Sequence, residues 1–115
     1  MYEQLNIFQF LTPQRTFSPG EYVEKEVLGK RLTFDEITKE VGKLIILDMS
    51  TESHEWFKIV MVEKIIVMDN NQRRLVYYDG GRQRGLVNEM YFDDAPYARK
   101  AYLISEEQTG QLRFA

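Results

Sequence analysis

The chain has 115 residues, 43% of them hydrophobic and 13% aromatic, with a net charge of −3 and no cysteine. That length is one domain, large enough to build a core without staples. The missing thiol excludes disulfides, thiolate metal centres, iron–sulfur clusters and cysteine nucleophiles.

Residues 4–11, Gln-Leu-Asn-Ile-Phe-Gln-Phe-Leu, form an apolar opening stretch that reads as an edge strand or an extended arm over 1–12. Ser18-Pro19-Gly20-Glu21 has the form of a helix start: Ser18 as cap, Pro19 in the first turn, Glu21 reaching back, and Phe17 with Tyr22 as a staple. Gly29 would end that helix. Thr33-Phe34-Asp35-Glu36 repeats the pattern, with Leu32 and Ile37 as staple and Gly42 as the stop. Two short tandem helices are therefore expected.

After Gly42 the pattern turns to β. Lys43–Asp48 is a buried strand by composition. Trp56–Met68 is one long run of β-formers broken by Glu63-Lys64, which predicts a bend or bulge there. Asp69–Gln72 is a turn, Arg73–Tyr78 the return strand, and Asp79-Gly80-Gly81 another turn. Leu86–Phe92 fits either a strand or a helical turn, and Ala98–Ile104 alternates as a final strand. The expected fold is α+β: two short N-terminal helices, then a small twisted antiparallel sheet, with an SH3-like barrel as one way for it to close. The whole chain is one domain.

No apolar run exceeds four residues, so no membrane span is expected. Met1-Tyr2-Glu3-Gln4 lacks the basic start and apolar stretch of a signal peptide. With the absent disulfides, this points to a cytoplasmic setting. His54 is the only histidine, in a polar stretch beside Glu52 and Glu55, and reads as an exposed loop residue. A carboxylate-only magnesium site would have to use Asp93-Asp94, or Asp48 with Glu52, and adjacent acids of this kind are usually solvated surface. Gly80-Gly81 is too short for a phosphate-cradling loop. No catalytic residues, metal ligands or cofactor are assigned.

Two segments are candidates for binding. The first is Gln4-Leu5-Asn6-Ile7-Phe8, with Gln4, Leu5, Ile7 and Phe8 as contact residues. The pentapeptide resembles the bacterial sliding-clamp-binding motif Gln-Leu-Ser/Asp-Leu-Phe, matching at Gln4, Leu5 and Phe8. The resemblance implies a glutamine amide held in a small pocket and apolar side chains filling a groove on the clamp. Read from the residues alone, the same segment is also the inward face of a first strand. The whole chain is similar to the small accessory proteins of phages and mobile elements in Gram-positive bacteria, a population that includes anti-CRISPR inhibitors. This likeness implies a non-catalytic role modulating host nucleic-acid machinery.

The second is the hairpin 73–84. It carries four arginines and one aspartate, whereas residues 1–72 carry 8 basic and 12 acidic side chains. Alternation puts Arg74 and Tyr78 on one face and Arg73 and Tyr77 on the other, with Arg82 and Arg84 together beyond the turn. Arginines grip phosphates and tyrosines stack on bases, so Arg73, Arg74, Tyr78, Arg82 and Arg84 are candidate DNA or RNA contacts. The alternative is a solvated hairpin whose arginines pair with the acidic body. The sequence therefore favours a protein that binds, and inhibits or recruits, a host protein complex engaged on nucleic acid, with direct nucleic-acid binding as the second reading.

Overall fold

In the computed structural model, residues 15–92 and 99–105 are described. They form seven strands and one short helix. The order is β1 (Tyr22–Val23), β2 (Leu28–Leu32), α1 (Phe34–Ile37, continued as a 3-10 turn over Thr38–Glu40), β3 (Leu44–Asp48), β4 (Phe57–Val67), β5 (Arg73–Tyr78), β6 (Gly85–Asn88) and β7 (Ala101–Ile104). The strands make one antiparallel sheet in the order β2-β7-β3-β4-β5-β6, with β1 paired to β4 beside this path. Among the described residues β2 and β6 are its two ends, so the sheet is an open path rather than a closed SH3-like barrel.

The expectation of two N-terminal helices is overturned. Only the second exists, and it is short. Residues 18–29 fold as a turn, β1, a 3-10 turn over Lys25–Val27, and the start of β2. The reason lies in Pro19-Gly20. Gly20 has φ +93, and the Glu21 amide donates to the Ser18 carbonyl at 3.1 Å. That is a reverse turn with proline and glycine in their preferred places, and a positive φ cannot propagate a helix. Glu21 still reaches back to the Ser18 amide at 3.1 Å, so the capping gesture survives without its helix. Gly29 is no helix stop either. It sits in the bulge of β2 against β7, where a Cβ would fall 2.8 Å from the Leu103 carbonyl oxygen. At Thr33 the same sequence device does start a helix. The Thr33 hydroxyl accepts from the Glu36 amide, and the Glu36 carboxylate accepts from the Thr33 amide. Lys30, with the Thr33 amide behind it, lowers the Glu36 carboxyl to about 2.

β4 is the spine. Its β-branched run pairs β3 along Phe57–Met61 and β5 along Met61–Val67, with the register slipping between Val62 and Lys64. The extra residue is Glu63, and the bulge there bends the strand. β1 takes over the edge of β4 where β5 leaves it, at Phe57 and Lys58. At this junction the turn at Gly20 meets the turn at Gly80. A Cβ on Gly20 would stand 2.3 Å from the Asp79 carbonyl oxygen, and one on Gly80 2.9 Å from that of Pro19. Both residues have positive φ, and neither position has space for a side chain.

The first part of the sheet is buried on both faces. One core gathers Ile45, Leu47, Val60, Val62, Leu75 and Ala101 beneath Phe34 and Ile37 of α1. The other packs Ile46, Phe57 and Ile59 under Phe17, Val23 and Val27 of the N-terminal strap. Three consecutive β3 residues, Ile45, Ile46 and Leu47, are inaccessible to solvent, the continuous apolar pattern of a two-sided strand. Each such side chain contributes roughly 1.5–3 kcal/mol over leaving it in water.

Candidate functional site

The second part of the sheet is different. β6 ends it, and the chain then makes a 3-10 turn over Glu89–Tyr91. Arg73 fixes that turn in place: its Nε and Nη2 donate to the two Glu89 carboxylate oxygens at 2.9 and 2.6 Å. The same guanidinium pairs with Asp35 at 2.7 Å and lies 5.0 Å from the Phe34 ring centroid, which ties β5 to α1. These partners hold the Arg73 pKa above its ordinary value and the Glu89 carboxyl below its own. Phe92 packs edge-on against Phe34, ring centroids 5.3 Å apart, and forms a parallel bridge with Arg99. The Arg99 amide donates to the Tyr91 carbonyl at 2.7 Å.

These anchors enclose an open cleft of about 480 Å³. Arg74, Tyr77, Tyr91 and Arg99 line it together with Leu86, Val87 and Asn88 of β6. Side chains alternate across a strand, so a hollow over one face meets every second residue. Contact with three successive residues places this cleft along the strand's outer edge. Nothing among the described residues pairs with that edge.

The cleft is basic. Arg74 Nε donates to Asn88 Oδ1 at 2.7 Å, and Arg99 Nη1 reaches the Asp48 carbonyl at 3.5 Å. Among the described residues neither guanidinium forms an ion pair with a carboxylate. Tyr77 lies over Gly85, its cross-strand partner, where a Cβ would stand 2.0 Å from its Cζ. The residue is 7% exposed, and among the described residues its hydroxyl has no hydrogen-bond partner. Burial pushes the phenol pKa up, the Asp79 charge adds to this, and Arg99 and Lys58 oppose it, so the group stays a donor at neutral pH. The apolar part of the lining is open to solvent: Leu86 and Tyr91 are 56% and 52% exposed. The cleft thus offers cationic and phenolic donors beside apolar surface. Among the described residues no carboxylate or imidazole lines it.

The structure distributes the hairpin residues rather than gathering them. Arg73 and Arg74 point to opposite faces, as alternation requires, and only Arg74 reaches the cleft. Arg82 and Arg84 lie in the loop between β5 and β6. Arg84 pairs with Glu63 at 2.6 Å and covers the Tyr78 ring at 4.7 Å. Arg82 is exposed and pairs with no carboxylate among the described residues. Two of the four arginines are therefore committed to carboxylates and two are not. Gln4, Leu5, Ile7 and Phe8 lie outside the described residues, as does Asp93-Asp94. His54 is exposed, with Nδ1 3.1 Å from Ser53 Oγ and its ring stacked on Trp56. Asp48 Oδ1 accepts from the Ser50 amide at 2.9 Å, and no cluster among the described residues could hold a metal ion. Gly80 and Gly81 form the hairpin turn, where Gly81 donates to Asp79 Oδ1 at 3.2 Å.

Arg99, Tyr91, Leu86 and Asn88 were not singled out by sequence reasoning. Arg99 comes from a distant segment with no local pattern. The one readable signal was Leu86, an apolar residue on the outward beat of Gly85-Leu86-Val87-Asn88.

No helix among the described residues is long and apolar enough to cross a membrane. Compared with known proteins, the chain matches no family model, no curated protein and no solved structure.

Proposed function

We propose that this protein is a non-catalytic binding module whose contact surface is the β6 cleft, and that it blocks or recruits a protein complex of a bacterial host that works on nucleic acid. The observation that carries the reading is the cleft itself: two arginines without carboxylate partners among the described residues and a buried phenol donor, framed by exposed Leu86 and Tyr91. Interface centres favour this mixture of aromatic, arginine and apolar side chains. The second half of the proposal rests on the likeness of Gln4-Leu5-Asn6-Ile7-Phe8 to clamp-binding peptides.

The test is affinity capture from bacterial lysate with the intact protein, Leu86→Glu, Tyr91→Ala, and a form lacking residues 1–9. The expected result is one stable protein partner held by the intact chain and lost with both cleft variants. Capture that ignores both substitutions overturns the cleft as the contact. Capture lost only on removing residues 1–9 moves the contact to the arm.

Direct binding of DNA or RNA is the second reading, favoured by Arg82 and Arg74 having no carboxylate partner among the described residues. It predicts gel shifts that weaken with salt and with Arg82→Ala. The pairing of Arg73 and Arg84 with acids leaves few charges on the hairpin for phosphates.

A further inference from the structure

We infer that the partner enters as an extended acidic segment which adds to β6 as a new strand and sets one carboxylate against Arg74 and another, from the opposite face of that strand, against Arg99. The inference rests on the cleft being the contact surface and names what fills it.

The two ends of the sheet support it. An unpaired edge is a template for any passing strand, and proteins normally blunt it with charge, proline or a bulge. β2 is blunted in this way: Lys30 and Arg31 sit on it, and its register breaks between Leu28 and Arg31. β6 has none of these features. Its sequence is Gly-Leu-Val-Asn, its pairing with β5 runs unbroken from Tyr77–Gly85 to Arg74–Asn88, and Leu86 projects into solvent. The cleft follows this edge through Leu86, Val87 and Asn88. An incoming strand would find backbone donors and acceptors along β6 and apolar surface at Leu86 and Tyr91. Strand addition uses backbone bonds for affinity and side-chain contacts for selection.

Charge selects the occupant. Arg74 is held by a neutral amide and Arg99 by a carbonyl, so both guanidinium groups retain donors for a carboxylate. The Tyr77 hydroxyl is a third donor on the same cleft. A second copy of this chain would bring a β6 edge carrying the same Arg74 and Arg99, and like charges would face one another. The complementary segment is acidic and belongs to another protein.

The probe is a capped seven-residue peptide, Thr-Val-Glu-Glu-Val-Val-Thr, whose adjacent Glu residues face opposite sides of an extended strand, titrated into the 15N-labelled full chain. Controls are the same peptide with Lys for Glu, a form N-methylated at alternate amides, and a twelve-base oligothymidylate. The acidic peptide should shift amides of residues 85–88 and slow their hydrogen exchange. Arg74→Gln and Arg99→Gln should each weaken it by about tenfold, the loss of one charge-assisted contact. The Lys peptide and the N-methylated peptide should not bind. Equal binding of the N-methylated form, or of the Lys form, overturns strand addition or acid selection respectively. Tighter binding of the oligothymidylate overturns the protein partner. Peptide failure, while lysate capture still depends on Leu86 and Tyr91, overturns this inference and leaves the cleft reading standing. Capture independent of the cleft removes that reading whatever the peptide does. A dimer that dissociates in Arg-to-Gln variants would replace the acidic partner with a second copy.

Discussion

β3 and β6 belong to one sheet and share its hydrogen bonding, yet they meet opposite surroundings. β3 has a strand on each side and a core on each face, and its middle three residues are sealed from water. Among the described residues β6 has one neighbour, and it carries a buried Val87 and an exposed Leu86. The difference separates apolar residues that hold the fold from apolar residues that are free to do something else. Substitution should expose that division.

The largest effect belongs to β3. Ile46→Ala removes a fully buried side chain from the second core and is expected to cost about 2–5 kcal/mol in urea unfolding. A value near that of a surface change would mean that the N-terminal strap does not seal that face. Next is Gly85→Ala, where the added methyl meets the Tyr77 ring. Overpacking of this kind costs about 1–3 kcal/mol. The ring should be displaced toward the cleft, visible as altered Tyr77 ring protons. This variant links the two regions, because Tyr77 belongs to the first core and to the cleft wall. Thr33→Ala removes the cap of α1, the lid of that core, and should cost about 1 kcal/mol without touching peptide binding at β6.

A smaller effect is expected at Lys58–Asp79, a 3.0 Å pair beside the junction of β1 and β5. Lys58 holds the Asp79 carboxyl below its ordinary value, and Asp79 holds the Lys58 ammonium above its own. The Asp79 share of stability is complete above about pH 4 and fades as pH falls through its lowered native value. The Lys58 share is complete below about pH 10 and fades as pH rises through its raised native value. Asp79→Asn should flatten both limbs of the stability–pH curve while costing under about 1 kcal/mol at neutral pH. Smallest of all, Leu86→Ala should change stability by less than about 0.5 kcal/mol and still weaken whatever occupies the cleft. A large loss of stability there would make Leu86 a core residue and erase the contrast with β3.

Much of the sheet can be read from the string because its signals are local. The break in β4 was visible as Glu63-Lys64 within a run of β-formers, and the capping residues Thr33 and Glu36 lie three apart. Residues 18–29 misled because capping chemistry and turn chemistry share an alphabet. Ser18 and Glu21 satisfy the helix pattern, and only the positive φ at Gly20 and the close approach of Gly29 to Leu103 decide against it. Both are properties of the folded chain. The hairpin shows the same limit for function. A cluster of four arginines was plain, but Asp35, Glu63 and Glu89, which claim two of them, come from separate elements. Arg99, which lines the cleft from a separate segment, stands alone in sequence and acquires meaning only from its bridge to Phe92.

Arg73 gives the molecule a built-in gauge. One guanidinium grips Glu89 on the turn that presents Tyr91 and grips Asp35 on the helix across the core. Any load placed on Tyr91 is passed through that hinge pin, so the amide resonances of residues 34–37 should move when a guest arrives, well away from the place where it lands.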